Sequence, residues 1–326
     1  MKKANLILAL AAALLLALSG LAWAKTTFIS IGTGGTGGVY YPYGGGLAEI
    51  WSKHVPGVKA VAEVTGASVE NVKLAHKGET IIGLIMGDVA YQAYNAEGSF
   101  KGKPQKILSM ASMYPNVLHV VTLKGSGIKN ITDFKGKKIS IGAPGSGTAF
   151  MAELVLKAAG VPLESFDVRR LSFNETANAM RDRTVDAGFW VVAPGTSSIM
   201  DLATTHDIEI VAFTPEQQKA VTDAYGFYAP WTIEAGGYRG VDQPVPTISV
   251  WNVIIVQSSQ PEDMVYSLTK ALYDQNAYLQ KIHPFAKYTT PENAVSKSPI
   301  PLHPGAIKYL KEKGVAVPDK LMPKAK

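Results

Sequence analysis

A glycine-rich segment near the start of the chain, GTGGTGGVYYP at 32–42, combines bare backbone with hydroxyl side chains and two phenols. Glycine is costly to order, so such a run is typical of a place where another group approaches the backbone N–H groups closely. The segment follows the apolar stretch TTFISI and precedes the apolar-periodic GLAEIW, which predicts a strand, a loop and a helix. A second segment of this kind, APGSGT at 143–148, lies between the predicted strand KKISIG and the predicted helix AFMAELVLKAAG.

Both segments have the composition of an anion site. A helix N-terminus carries free N–H groups and a partial positive charge, so it attracts a carboxylate or phosphate without a basic side chain. In a parallel α/β sheet such loops lie at the carboxyl ends of strands, where ligands bind. We therefore expect the two loops to face each other across a cleft, although tight turns without a ligand are the alternative for each. The candidate residues in the loops are Thr33, Gly34, Gly35, Thr36, Gly145, Ser146, Gly147 and Thr148.

Four further side chains are predicted to border the same cleft, namely Tyr40, Ser68, Asn71 and Trp190. Tyr40 follows the first loop, where its ring can wall a small cleft and its phenol can hydrogen-bond a ligand. Ser68 and Asn71 lie at the start of a predicted helix, so capping that helix is an additional or alternative role. Trp190 ends a predicted strand and either packs in the core or forms a stacking wall for the ligand.

Catalytic and metal-binding motifs are absent from the sequence. There is no G-x-S-x-G motif, no cysteine, and no H-x-x-x-H spacing among the six histidines. We therefore expect no enzyme activity, no cofactor and no metal site. The five arginines could clamp a carboxylate or lie on the surface, and the sequence leaves this open.

The segment GTGGTG at 32–37 also matches the dinucleotide fingerprint G-x-G-x-x-G, with Glu63 as a candidate for holding a ribose. An export signal, Pro42 just after the loop and the repeated layout in the second half of the chain argue against a nucleotide enzyme. This remains the weaker alternative.

The first 24 residues predict a secretory signal peptide, because a basic start, an apolar stretch and small residues at Ala22 and Ala24 follow one another. We expect cleavage after Ala24 and a periplasmic protein. Hydrophobic residues make up 47% and charged residues 18% of the 326-residue chain, which predicts a folded protein large enough for two domains. The net charge of +6 is spread along the chain without a basic stripe, so nucleic-acid binding is not expected.

The order of predicted elements repeats. Strand, glycine-rich loop, helix, strand, Ser-led helix and apolar strand run from about residue 27 and again from about residue 137. Such alternation predicts two α/β lobes with parallel sheets. The strand-like segments 117–127 and 246–257 are predicted to cross between the lobes, and the segments after the second are predicted to be helical.

Ordered blocks along almost the whole mature chain resemble the TAXI family, the extracytoplasmic solute receptors of one class of tripartite ATP-independent periplasmic (TRAP) transporters. They include GTGGTGGVYYPYGGGLAEI, VTGASVENVKLAHKGETIIGLIMGDVAYQAY, ITDFKGKKISIGAPGSGTAFMAELVLKAAGV, VDAGFWVVAPG and GGYRGVDQPVPTISVWNVIIVQSSQPEDMVYSLTKALYD. The resemblance implies a type II periplasmic-binding-protein fold, with two α/β lobes, a two-strand hinge and a ligand cleft between the lobes. The expected division is 1–24 as the signal peptide, 25–118 with 249–326 as the first lobe, and 119–248 as the second.

The same resemblance implies a function. The expected ligand is a small anionic organic solute such as glutamate, 2-oxoglutarate or a similar carboxylate, and the expected partner is a TRAP membrane permease, commonly one fused polypeptide. The first loop with Tyr40, the helix start at Ser68 to Asn71, the second loop and the Trp190 region would line the site. A periplasmic sensor that docks on a receptor kinase is an alternative that the sequence does not separate from transport.

Overall fold

The computed structural model describes residues 26–324, so the expected signal peptide lies outside the described residues. Strands and helices alternate along the chain, as the sequence predicts. The strands are β1 (Thr27–Gly32), β2 (Val58–Glu63), β3 (Ile82–Met86), β4 (Ile107–Leu123), β5 (Lys138–Ser140), β6 (Asp167–Arg169), β7 (Ala187–Val192), β8 (Ile208–Ile210), β9 (Tyr228–Ile233) and β10 (Val245–Gln257).

The helices that alternate with these strands are short to medium in length. They are α1 (Tyr40–His54), α2 (Ser68–Lys77), α3 (Gly87–Asn95), α4 (Gly147–Ala158), α5 (Phe173–Arg181), α6 (Ser197–Thr205), α7 (Pro215–Ala224), α8 (Glu262–Asp274), α9 (Asn276–Ile282), α10 (Pro291–Lys297) and α11 (Pro304–Glu312). Within residues 26–324, no helix has the length and apolar composition needed to cross a membrane.

The strands form one continuous sheet with two halves of the same strand order. In the first half β1 lies between β2 and β3, and in the second β5 lies between β6 and β7, with all four pairings parallel. The repeated plan predicted from the sequence is therefore confirmed. We call β1–β3 with α1–α3 and the C-terminal helices lobe I, and β5–β9 with α4–α7 lobe II.

Two long antiparallel strands, β4 and β10, cross between the lobes. β10 pairs with β3 of lobe I at one end and with β9 of lobe II at the other, while β4 pairs with β7 of lobe II. The register between the two crossing strands shifts between Trp251 and Val253. The first crossing strand starts at Ile107 and not at Val117, as predicted. The prediction missed its first ten residues because Pro115 and several small polar residues interrupt the apolar pattern there.

The C-terminal helices belong to the core of lobe I. Leu47 and Trp51 of α1 share one buried cluster with Leu268 and Leu272 of α8, and the Trp51 Nε1 donates to the Leu268 carbonyl oxygen at 3.0 Å. Each apolar side chain of this size contributes about 1.5–3 kcal/mol when buried. Within residues 26–324, the N-terminal and C-terminal elements therefore pack in the same lobe.

The apolar periodicity of the sequence predicts a helix that starts at about Tyr43, whereas helix α1 starts at Tyr40. Pro42 fits into the first turn because its missing N–H has no partner to lose there. Pro42 therefore belongs to the helix and does not end the glycine-rich loop.

Candidate functional site

A cavity lies between the two lobes beside the crossing strands. Its volume is about 100 Å³, counted over the positions that the centre of a water molecule can occupy. One water needs about 10–15 Å³ by this measure, so the cavity has room for a small organic solute. Lobe I lines it with Gly34, Gly35, Gly38, Val39, Tyr40, Thr65, Gly66, Ala67, Ser68 and Met86; β4 with Tyr114 and Asn116; and lobe II with Ala143, Ser146, Gly147, Thr148, Ser172, Phe173, Val191 and Val192.

Four helices begin at the cavity wall, two from each lobe. Their first residues, Tyr40 of α1, Ser68 of α2, Gly147 of α4 and Phe173 of α5, all line the cavity. Each helix N-terminus carries a partial positive charge. Among residues 26–324, none of the lining side chains is charged. The helix ends therefore set the local electrostatic potential, which favours an anion.

The loops provide hydrogen-bond donors at this wall. Among residues 26–324, the N–H groups of Gly34, Gly35, Gly147 and Thr148 have no hydrogen-bond acceptor. The Ser68 hydroxyl lies beside Tyr40 and accepts the Met86 backbone N–H at its Oγ, at 3.1 Å. These groups can together surround a carboxylate with N–H and O–H donors.

Tyr40 connects the cavity wall to the crossing strands. Its hydroxyl donates to Asn252 Oδ1 at 2.6 Å, and the Asn252 Nδ2 donates to the Tyr114 carbonyl oxygen at 2.8 Å. Burial raises the pKa of Tyr40 well above its ordinary value, so the phenol stays neutral. A solute that touches Tyr40 is therefore in contact with the part of the molecule where the lobes join.

The structure brings seven of the residues predicted from the sequence to the cavity wall. These are Gly34, Gly35, Tyr40, Ser68, Ser146, Gly147 and Thr148. Five other predicted residues do not line it, namely Thr33, Thr36, Asn71, Gly145 and Trp190. Their surroundings explain why.

Asn71 is fully buried behind the first loop and holds the loop backbone by hydrogen bonds. Its Nδ2 donates to the carbonyl oxygens of Gly32 at 3.0 Å, Thr33 at 2.7 Å and Leu84 at 2.9 Å, and its Oδ1 accepts from Thr65 Oγ1 at 2.7 Å. Thr33 is also fully buried, and its hydroxyl donates to a carbonyl at the end of β2. Asn71 therefore fixes the loop on β3 and has no polar atom left for a ligand.

The predicted capping of α2 by Ser68 or Asn71 is wrong. The residue before the helix is Ala67, which makes no side-chain cap, and Ser68 is already the first helical residue. The Ser68 Oγ accepts from the Met86 N–H of the neighbouring strand instead. The N–H groups of Val69 and Glu70 at the helix start donate to the Gly145 carbonyl oxygen of lobe II, at 3.1 and 3.3 Å.

Trp190 lies one layer behind the wall. It is fully buried, its Nε1 donates to Ser198 Oγ at 3.1 Å, and its ring stacks on that of Phe173 with 6.1 Å between centroids. Phe173 lines the cavity and Trp190 does not. The aromatic wall of lobe II is therefore Phe173, supported from behind by Trp190.

Several hydrogen bonds join the lobes at the edge of the cavity, and we call two of the shorter ones the rim hydrogen bonds. The Ser198 Oγ donates to the Gly37 carbonyl oxygen at 2.8 Å, and the Val69 N–H donates to the Gly145 carbonyl oxygen at 3.1 Å. Gly145 has φ +78°, a conformation that favours glycine. Thr36 is exposed outside the cavity. Gly145 thus connects the lobes rather than lining the site.

The glycines of the two loops also permit close approach of the lobes. A Cβ added at Gly147 would lie 2.6 Å from Ser68 Oγ and would overlap the Met86 side chain, both in lobe I. A Cβ at Gly66 would lie 3.2 Å from the Pro144 carbonyl oxygen of lobe II. The absence of side chains at these glycines therefore allows close contact between the lobes, in addition to leaving space for the cavity.

Sequence analysis missed Tyr114 and Asn116, which line the cavity from β4. The segment MYPN places a phenol and an amide within a mostly apolar strand, and this feature of the sequence could have indicated them. The predicted crossing began at Val117 and so excluded both residues. Phe173, at the start of α5, was likewise not a candidate.

The arginines, which the sequence left open, lie away from the cavity. Four of them form ion pairs with acidic side chains at the surface, namely Arg169, Arg170, Arg181 and Arg239. None of the five lines the cavity. Any anion bound there would be held by N–H and O–H groups rather than by a guanidinium.

Asp88 of α3 is buried and links the two lobes. Its Oδ2 accepts from the Tyr228 hydroxyl of lobe II at 2.8 Å, and its Oδ1 accepts from the Val89 N–H at 2.8 Å. The segment GDVAYQAYN predicts Asp88 as the cap of α3, and this is wrong, because Met86 precedes the helix and no side chain caps it. Burial raises the pKa of Asp88 from its ordinary value of 3.8 to about 7.

This pKa makes stability depend on pH. Between about pH 4 and pH 7 the unfolded chain releases the Asp88 proton while the folded protein retains it, so stability falls as pH rises. Full ionisation costs about 4 kcal/mol, and Asp88→Asn should remove this dependence. Unfolding free energies of the wild type and of Asp88→Asn, measured from pH 4 to 8, should diverge by several kcal/mol as pH rises. A constant difference between them across that range would contradict the raised pKa.

The two lobes of equal strand order, the two crossing strands and the cavity between the lobes are the features of the type II periplasmic-binding-protein fold. Residues 31–314 match the NMT1-like family. The chain therefore belongs to the NMT1-like family.

Three solved structures have a similar fold, each with a TM-score of 0.51. A putative L-cystine ABC transporter protein of Listeria monocytogenes is 14% identical, over 81% of this chain and 99% of that one. A Streptococcus mutans protein, from work on glutathione import via GshT and the cystine ABC importer TcyBC, is 14% identical over 81% of this chain and 96% of that one. A Bordetella bronchiseptica RB50 protein is 19% identical over 92% and 86%. At these identities the likeness concerns the fold alone.

Proposed function

We propose that this protein is a periplasmic receptor that binds a small anionic organic solute, such as glutamate, 2-oxoglutarate or a similar carboxylate, and delivers it to a TRAP-type secondary transporter. The observation that carries the proposal is the convergence of four helix N-termini on one uncharged cavity between two lobes. Such ends attract anions. The unpaired N–H groups of both loops supply the hydrogen bonds.

Binding is coupled to the arrangement of the lobes, because the cavity wall has residues from both. A solute that contacts both lobes binds the closed form more tightly than the open form. It stabilises the closed form by the difference between these two binding free energies. The crossing strands, with their register shift beside Asn252, are where a hinge would bend. The closed receptor is then the form that a transporter recognises.

The site does not favour an enzyme that uses a dinucleotide. The cavity is of a size for a small solute, and Glu63, the acidic residue that would hold a ribose, does not line it. A ligand sensor would use the same cavity as a transport receptor. The function of the neighbouring gene product, a permease or a receptor kinase, separates these two.

The proposed transporter class is supported by the sequence blocks that resemble TAXI receptors. Two proteins with a similar fold are associated with cystine ABC transport, but at 14% identity this concerns those proteins and not the present chain. Uptake by proteoliposomes that contain the partner permease tests the class. Uptake driven by an ion gradient without ATP supports a TRAP transporter, and dependence on ATP hydrolysis would assign an ABC transporter instead.

Thermal unfolding with a panel of carboxylates tests the ligand class. A true ligand at about 100 times its dissociation constant should add about 2.7 kcal/mol to the free energy of unfolding. The methyl esters of the same acids are the control, since they keep the carbon skeleton and lose the negative charge. A panel in which no anion stabilises the protein, or in which the esters stabilise it equally, would contradict an anion site.

A further inference from the structure

A buried carboxyl lies where the crossing strand β10 passes from one lobe to the other. Asp88 of α3 lies two residues after Met86, which pairs with Asn252 of β10. The hydroxyl that donates to the Asp88 Oδ2 at 2.8 Å belongs to Tyr228 of β9, and Tyr228 pairs with Val250 of β10. Val250 and Asn252 lie beside the register shift of the crossing strands. The hydrogen bond between Asp88 and Tyr228 therefore spans the place where a hinge would bend.

Aromatic side chains of lobe II cover this part of α3. The Phe227 ring lies 5.9 Å from the Tyr91 ring of α3 and 4.7 Å from the Tyr228 ring, measured between centroids. Tyr228 also shares one buried apolar cluster with Val89, the neighbour of Asp88. Asp88 itself is fully buried. Because lobe II supplies these side chains, parting of the lobes at this point removes them and admits water to the carboxyl.

The Asp88 carboxyl has no positively charged partner among residues 26–324. The titratable groups that face it are the phenols of Tyr228 and Tyr40, and burial keeps both neutral. The other elements that pack against α3 are α2, α4, β3, β10 and the segment 98–100, and none of their charged side chains is among the groups that shift the pKa of Asp88. A carboxylate buried without a cation is costly, so the closed form retains the proton up to about pH 7.

We propose that closing of the lobes takes up a proton at Asp88, so that low pH favours the closed form and high pH the open form. A proton from solvent binds one carboxylate oxygen as lobe II covers it, and the protonated carboxyl still accepts the hydrogen bonds from Tyr228 and Val89. By linkage, a solute that binds the closed form binds more tightly as pH falls. This inference rests on the lobe closure of the proposed function and adds a proton to it.

Pulsed electron paramagnetic resonance of solute-free protein tests the inference through the distance between the lobes. The chain has no cysteine, so Lys53→Cys on α1 and Thr204→Cys on α6, both exposed in the wild type, give one nitroxide label in each lobe. The ratio of closed to open molecules should fall about 10- to 30-fold from pH 5.5 to pH 8, because the pKa of Asp88 is about 7 in the closed form and ordinary in the open one. Equal distance distributions at the two pH values would overturn the inference.

Two substitutions at this contact test whether Asp88 is the group that titrates. Asp88→Asn is neutral at every pH and should show at pH 8 the closed fraction that the wild type has at pH 5.5. Tyr228→Phe removes a hydrogen bond that stabilises the carboxylate, so the pH dependence should persist and level off at a higher pH than in the wild type. Wild-type pH dependence in Asp88→Asn, or levelling at an unchanged or lower pH in Tyr228→Phe, contradicts the inference.

The matched control is Asp223→Asn on α7, since Asp223 is an exposed carboxyl of lobe II that pairs with Lys219 at 2.6 Å. It should keep the wild-type pH dependence, and loss of that dependence would assign the effect to surface charge instead. Should Asp88→Asn not fold, the wild type and Tyr228→Phe decide the question. Because these measurements contain no solute, their failure leaves the anion receptor intact, and a carboxylate panel without a binder leaves their result standing.

Discussion

A Gly147→Val substitution is expected to weaken solute binding by about 10- to 100-fold while both lobes remain folded. The reason is that the side chain at this position would meet Ser68 and Met86, which belong to the opposite lobe. Moving the Met86 thioether alone does not make room for a branched side chain. The clash arises only when the lobes close, so the open form is unaffected.

Calorimetry and small-angle X-ray scattering together measure this effect. Addition of solute should reduce the radius of gyration of the wild type more than that of Gly147→Val. The matched control is Gly45→Val on α1, where an added Cβ meets nothing within 4 Å. Wild-type affinity in Gly147→Val would show that close approach of the lobes at this glycine is not needed for binding.

An Asn71→Leu substitution is expected to lower the free energy of unfolding by about 3–5 kcal/mol. Leucine has nearly the same size but leaves three backbone carbonyls and the Thr65 hydroxyl without their buried partner. The first glycine loop is then no longer held on β3. Urea denaturation followed by circular dichroism measures the loss.

The control for Asn71 is Asn178→Leu on α5. Asn178 is exposed, and its Oδ1 accepts one hydrogen bond, from Arg181 Nη1 at 2.7 Å. A surface substitution of this kind should change stability by less than about 0.5 kcal/mol. Equal effects at positions 71 and 178 would show that the hydrogen bonds of Asn71 behind the loop add no more to the free energy of unfolding than those of a surface residue.

Local sequence patterns were sufficient for the order of elements. The apolar runs TTFISI and IIGLIMG are bounded by glycines, which marks them as buried strands, and both lie where predicted. The helix at 147–158 shows its apolar positions and its glycine stop in the sequence itself. Since both halves of the chain repeat these signals, the two lobes were also predictable.

Contacts between distant segments were not predictable in the same way. Periodicity does not decide which of Phe173 and Trp190 reaches the cavity, because that depends on how α5 packs on β7. Nor does it reveal that the amide of Asn71 serves three carbonyls from two strands and a loop. Hydrogen bonding and close packing between non-adjacent segments determine these details, and a single sequence does not record them.

The rim hydrogen bonds, from Ser198 to Gly37 and from Val69 to Gly145, join protein to protein. They stabilise the closed shape independently of any cargo, so some unloaded molecules are closed at equilibrium. A membrane transporter that recognises only the closed shape then also binds closed receptors that carry no solute. These empty receptors compete with loaded receptors for the transporter. Flux should therefore rise with receptor abundance, reach a maximum and decline when receptor outnumbers cargo.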